Sequence, residues 1–379
     1  MTGARCAVAL LLVALAVLAG ACSQDDGDDL DGGAATTTST TGPGDRAGDA
    51  GDAGDGTELG GWEQVRAPAT CRCSDGSPYH FWVRRGDPER LLFYLEGGGA
   101  CFSAETCGTE PTFVPTLPEG GDDPGIGGQQ GIFDLTDERN PFADFSIVFV
   151  PYCTGDLHLG DTVHDYGDGV VVNHNGAVNG QTALAAAAAT FPDAREVVVA
   201  GSSAGSASAP LYGGLAHDVL PDARITVIAD GSAAYPGDAT ITTAIGSLWG
   251  SFEHLPSWPS SAGEPNGAWS LPGLFVRADR HVPGIRMATI NNAYDEVQAR
   301  FSALIGSHGD LREKILANEE RIEGEGVEVR GWLTPGTEHT ILGRAELYGT
   351  AVGGTALHEW LADLVAGEDV PDVRCTDCR

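Results

Sequence analysis

The 379-residue chain is almost without lysine: Lys314 is the only one, and 21 basic residues face 54 acidic ones for a formal charge of −33. Base-independent nucleic-acid binding needs clustered Lys and Arg, and adhesion to an anionic membrane needs a basic patch, so the balance argues against both. Long apolar runs are also scarce. The run from Cys6 to Ala19 is too short to span a bilayer comfortably, follows Arg5 and ends in small residues, as a secretory signal does. A lone Cys-x-x-Cys at 375–378 supplies only half of a structural zinc site, so neither a metal nor a cofactor is expected. Charged residues (20%) and aromatics (7%) are ordinary for a globular chain, which excludes collagen-like and wholly disordered classes.

The leader closes on Leu18-Ala19-Gly20-Ala21-Cys22, followed by Ser23-Gln24-Asp25-Asp26, which resembles a bacterial lipoprotein box with Cys22 as the lipidated residue. Residues 1–21 are then the signal peptide, and the lipid on Cys22 is the only expected membrane contact. The expected location is the outer face of the cell membrane, with plain secretion as the alternative. Residues 22–60 show no apolar periodicity and are rich in Asp, Thr and a Gly-Asp-Ala repeat. Such a segment buries too little apolar surface to offset its ordering entropy, so it reads as a disordered tether. Nine aspartates and Glu58 against Arg46 leave −9 on residues 23–60; allowing for Arg5, residues 61–379 carry −25.

Residues 61–379 contain no second linker or repeat and read as one domain, expected to be monomeric. Seven strand-like runs are expected at Tyr79–Val83, Leu91–Leu95, Ser146–Val150, Glu196–Ala200, Arg224–Ala229, Gly284–Ile290 and Val327–Leu333. Helical patterns cover Ala177–Phe191, Ala204–Leu220, Tyr294–Ile305 and Gly354–Ala366. Runs such as Val197-Val198-Val199 are apolar on both faces, as strands between helices must be. The pattern predicts an α/β fold with a mostly parallel central sheet flanked by helices.

Val197-Val198-Val199-Ala200-Gly201-Ser202-Ser203-Ala204-Gly205 reads strand, Gly-x-Ser-x-Gly, helix. This is the signature of a nucleophile elbow, a strained turn that projects the Ser203 oxygen, with the Ala204 N–H and the helix dipole aimed at the reacting centre. About a hundred residues upstream, Leu91–Leu95 runs into Glu96-Gly97-Gly98-Gly99-Ala100-Cys101, where an α/β-hydrolase places its oxyanion loop, so the expected fold is α/β-hydrolase-like with a small insertion over the site. No Lys-Ser/Thr follows the glycines, so a phosphate loop is excluded. The triad order is Ser, acid, His. Among the downstream histidines, His339 lies in a loop just past a strand, His358 falls on the terminal helix and His308 in a turn; for the acid, Asp279, Asp295 and Asp230 all remain open on spacing.

Leu95–Cys101 with Cys107, Tyr152-Cys153-Thr154-Gly155-Asp156, Gly201–Gly205, Asn292–Gln298 and Thr337-Glu338-His339 occur in this order. The set, spanning about residues 71–365, resembles the pectin acetylesterase and Notum family of serine carboxylesterases. The resemblance implies Ser203 as nucleophile, Asp295 as orienting acid and His339 as base, with the N–H groups of Gly98, Gly99 and Ala204 as the oxyanion hole. It also implies Cys73–Cys153 and Cys101–Cys107 bridges, leaving Cys71, Cys375 and Cys378 with one bridge possible and one thiol over. In one respect the chain departs from the family: plant members carry Trp before the loop cysteine, and Ala100 stands there in this sequence.

The expected activity is ester hydrolysis through an acyl-enzyme, on an O-acetylated extracellular polysaccharide or a small ester. A domain of −25 repels a polyanion, which favours a neutral acetylated glycan or small ester over pectin itself. The alternatives are an inactive glycan-binding lipoprotein, and a lipase or deacylase of lipid-modified substrates. Residues 246–275, with Trp249, Phe252, Trp258 and Trp269, read equally as a lipid-facing lid, a sugar-binding wall or plain packing. His158 and His174, beside Asp156 and Asn173, read as loop hydrogen-bonding devices more readily than as substrate contacts.

Overall fold

The computed structural model describes residues 61–378 apart from 119–123 and 125–129. The expected signal peptide, the tether and Cys22 lie outside the described residues. The elements run β1 (Glu63–Arg66), β2 (His80–Arg84), β3 (Asp87–Leu95), α1 (Ala104–Cys107), β4 (Phe145–Val150), β5 (Thr162–Asp165), β6 (Val171–His174), α2 (Gly176–Thr190), β7 (Glu196–Ser202) and α3 (Ala204–Val219). They continue as β8 (Arg224–Asp230), α4 (Ala239–Trp249), α5 (Leu271–His281), β9 (Arg286–Asn292), α6 (Glu296–Leu304), α7 (Leu311–Gly324), β10 (Arg330–Thr334), β11 (Ala351–Val352), β12 (Thr355–Ala356), α8 (Leu357–Ala366) and β13 (Val373–Arg374).

Nine strands form the central sheet in the order β1-β2-β4-β3-β7-β8-β9-β10-β13. Pairing is antiparallel only at β1–β2 and β2–β4, and parallel from β4 to β13. Alternate residues feed two cores. Phe93, Leu95, Val197, Val199 and Val227 pack under α2, α3 and α5, while Tyr94, Val198, Ala200, Ile228 and Trp332 face α8. That double burial is why the strands are apolar without a break.

Several boundaries differ from the sequence expectation, for local reasons. Gly284 and Gly326 turn with positive φ, so β9 and β10 begin only at Arg286 and Arg330. Residues 351–356 pair as a hairpin, and α8 starts at Leu357 rather than at Gly354. Among the described residues there are three bridges, Cys73–Cys153, Cys101–Cys107 and Cys375–Cys378, and Cys71 is a buried free thiol. Such a set marks a protein that folds in an oxidising compartment. Among the described residues no helix is long and apolar enough to cross a membrane.

Candidate active site

Ser203 sits between β7 and α3 with φ 54° and ψ −116°, a left-handed conformation that a serine holds only where its surroundings impose it. The turn is crowded on every side. A Cβ on Gly205 would meet the Leu95 carbonyl oxygen, so the nucleophile turn and the loop after β3 can approach only because that residue is glycine. The Ser203 N–H donates to the Asp230 carbonyl at 2.8 Å, fixing the turn to the end of β8.

The loop after β3 takes the extreme backbone angles its glycines allow: φ is 156° at Gly98 and 83° at Gly99. Val114 N donates to Gly98 O (2.9 Å) and Cys101 N to Gly155 O (2.9 Å), and the Cys101–Cys107 bridge closes the loop beyond. Gly99, Ser203 and Ala204 line one common pocket.

Asp295 is fully buried and caps α6, its Oδ1 accepting from the N–H groups of Val297 and Gln298 at 2.9 Å each. Its Oδ2 accepts from His339 Nδ1 at 2.7 Å and from Gln298 Nε2 at 3.1 Å. The His339 loop is stitched to the same turn by Tyr294 N to Gly336 O and Glu296 N to Thr337 O, both 3.0 Å. With Nδ1 donating to a carboxylate, the neutral ring presents Nε2 as a lone-pair acceptor. Nε2 is buried and has no partner, so no hydrogen bond joins it to Ser203. The two residues nevertheless flank one turn: His339 packs on Gly231, where a Cβ would lie 3.3 Å from Cε1, and Gly231 follows the Asp230 that holds the serine.

The other carboxylates open on spacing stand apart from the imidazole Nδ1. Asp279 lies on α5, against α3 and α7. Asp230 is buried and accepts from Ser202 Oγ, Ile341 N and Leu342 N, each at 2.9 Å. Its role was not visible in sequence, because two of its donors are main-chain groups more than a hundred residues away. Burial raises its carboxyl pKa, while those three donors act to lower it.

His158 and His174 are structural. His158 Nε2 donates to Glu96 O (2.9 Å), and His174 uses both ring nitrogens, on Thr154 O and Tyr166 Oη. Burial pulls both down to about 4 and pushes Asp156, which orders the loop between them, up to about 6. Cys101, Cys107 and His174 cluster like metal ligands, but the sulfurs are bonded to each other and the imidazole is fully engaged.

The pocket beside Ser203 is walled in part by the 246–275 segment, through Trp249, Phe252 and Trp269, and in part by residues the sequence did not point to: Ile241 and Ile245 on α4 and Phe301 at the far end of α6, with Ala100 on the glycine loop. The lining is overwhelmingly apolar. Trp249 Nε1 donates to Cys101 O at 2.8 Å, so the insertion is locked to the glycine loop. Trp258 faces away from the pocket, packing on Gly214 and stacked on His281.

The pectinacetylesterase family model matches residues 63–253. The chain belongs to the pectinacetylesterase family. The match takes in the glycine loop and Ser203, and Asp295 and His339 lie beyond it. Over 119 residues, 31% of this chain and 82% of the relative, it is 33% identical to an inactive palmitoleoyl-protein carboxylesterase, notum1b, of Danio rerio. It is 35% identical over 91 residues to the palmitoleoyl-protein carboxylesterase NOTUM of Homo sapiens, covering 23% of this chain and only 18% of the human protein. The structure of the Wnt deacylase Notum from Drosophila superposes with a TM-score of 0.63 over 83% of this chain and 97% of that one; at 18% identity the likeness is one of fold. Family membership points to carboxylesterase or deacylase chemistry.

Proposed function

We propose that the protein is an exported serine carboxylesterase whose scissile ester carries an apolar acyl group longer than acetyl. The observation that carries this reading is an apolar pocket opening on Ser203 and floored by Ile241, Ile245, Trp249 and Phe301. Ile241 and Ile245 are only half-buried, and covering them with an acyl chain is favourable. His339 Nε2 takes the Ser203 proton as the serine attacks the acyl carbonyl, and Asp295 fixes the ring and stabilises the imidazolium. The N–H groups of Gly98, Gly99 and Ala204 hold the oxyanion. His339 then protonates the leaving alcohol, and water repeats the sequence on the acyl-enzyme.

The palmitoleoyl substrates in the relatives' names support this acyl class, as does the mainly apolar lining of the pocket. An O-acetyl ester is the second reading, favoured by the family description. One relative is named inactive, which makes a binding role the alternative to catalysis; the strained serine and the carboxylate-paired His339 support catalysis. Residues 1–21 as signal, Cys22 as lipid anchor and residues 22–60 as tether place the domain outside the cell in this proposal. The test is a release assay on acetylated xylan, pectin and a fatty-acyl ester, with Ser203→Ala as control. Release of the fatty acid fastest supports the acyl reading, and acetate released faster than any fatty acid overturns it.

A further inference from the structure

Asp230 is 1% exposed and lies at the end of β8. One of its carboxylate oxygens, Oδ2, takes three hydrogen bonds: from Ser202 Oγ on the nucleophile turn, and from the N–H groups of Ile341 and Leu342, the second and third residues after His339. Its own carbonyl takes the Ser203 N–H. Behind Ser202, Tyr94 Oη donates to Ser202 Oγ at 2.8 Å, so that hydroxyl is oriented with its proton toward the carboxylate. Between His339 and these amides stands Thr340 with φ 63°, a conformation disfavoured for a β-branched residue and held only if the chain on either side is fixed.

We propose that Asp230 is the positioning residue that sets His339 against Ser203, clamping the base loop to the nucleophile turn. This rests on the hydrolase reading above. Without the carboxylate, Ile341 N and Leu342 N lose their acceptor and Thr340 loses the restraint on one side. The ring of His339 would still be tied through Nδ1 to Asp295, but its loop would be free to drift from the serine. The three partners of Asp230 are neutral donors, two main-chain N–H groups and the Ser202 hydroxyl, so the loop is held to the turn by hydrogen bonds that converge on one oxygen.

The test compares wild type with Asp230→Ala, Asp230→Asn and Ser202→Ala, using the full chain, a p-nitrophenyl ester and a fluorophosphonate probe. Displacing the base by about an ångström predicts a kcat about 100-fold lower in Asp230→Ala with KM within twofold. Asp230→Asn keeps a carbonyl acceptor for the two amides and recovers part of kcat, again with KM within twofold. Ser202→Ala, which removes one side-chain donor and no charge, is the milder variant should the Asp230 variants fail to fold; it predicts a smaller fall in kcat at unchanged KM. Folded Asp230→Ala with wild-type kcat overturns the positioning role, as does a folded Ser202→Ala of full activity if Asp230→Ala does not fold. A wild type that is neither active nor labelled overturns the hydrolase reading instead, so the two failures are distinguishable.

Discussion

If the pocket beside Ser203 holds the acyl chain, kcat/KM must rise with chain length until the pocket is filled. Burying one methylene contributes about 0.8 kcal/mol, or about fourfold in kcat/KM. Six methylenes separate an acetyl from an octanoyl ester, so the ceiling is about 5 kcal/mol. Ordering a flexible chain costs part of that, and an increase of one to two orders of magnitude between the two esters is the expected outcome. The perturbation that locates the effect is Ile245→Trp. Ile245 points from α4 into the pocket, so the larger ring occupies the volume a long chain needs while leaving the glycine loop and Ser203 alone. Initial rates on p-nitrophenyl acetate, butyrate, octanoate and laurate below their aggregation limits read this directly. The variant should lose the advantage of octanoate and keep the rate on acetate. A wild type fastest on acetate, or a variant equally impaired on every ester, would refute the assignment.

Asp295→Asn keeps the size of the side chain but reverses the hydrogen bond to His339 Nδ1, which favours the wrong tautomer; kcat should fall about 10⁴-fold with the fold intact by circular dichroism. The Cys73–Cys153 bridge spans 80 residues, and opening it with a double Cys→Ala change should cost about 4 kcal/mol in denaturant unfolding, against about 2 for the six-residue Cys101–Cys107 loop. Acid should destabilise the fold through His158 and His174: each is held near 4 rather than 6.5, so the folded state binds fewer protons, and that stability is present above pH 6.5 and lost as pH falls toward 4. The histidines lose about 3 kcal/mol each over that window, and Asp156, raised to about 6, gives back about 3 as it protonates. Unfolding at pH 7 and pH 4.5 should therefore show a net loss, and a smaller one in His174→Gln; an identical loss in that variant would contradict the burial argument.

The centre of the sheet and the nucleophile turn were legible in the sequence because their constraints are local. β3, β7 and β8 are buried on both faces and read as unbroken apolar runs, and Gly201 and Gly205 flank Ser203 at fixed spacing. The edges were not: β1 and β13 are short, partly exposed and paired on one side. Helix α4 is rich in Thr and Ile, weak helix formers, and is recognisable chiefly by its cap, Asp238 accepting from Thr240 N and Ile241 N. Helix α7 was more legible than the expectation allowed, since Leu311, Ile315 and Ile322 recur at helical spacing behind the Asp310 cap. At the site, spacing left Asp279, Asp295 and Asp230 open because all three are acids downstream of the serine. What separates Asp295 and Asp230 is which donors reach them, an imidazole in one case and two main-chain amides in the other. The pocket was half legible: the aromatics of 246–275 marked one wall, while α3, α4 and α6 contribute single apolar side chains that carry no signal alone.

The most direct measurement of the central claim is labelling of the purified chain with a fluorophosphonate, followed by peptide mapping and ester turnover, in wild type and Ser203→Ala. The account predicts a single adduct on Ser203, loss of turnover in step with labelling, and neither adduct nor turnover in the variant. Turnover that persists in a folded Ser203→Ala chain would contradict it.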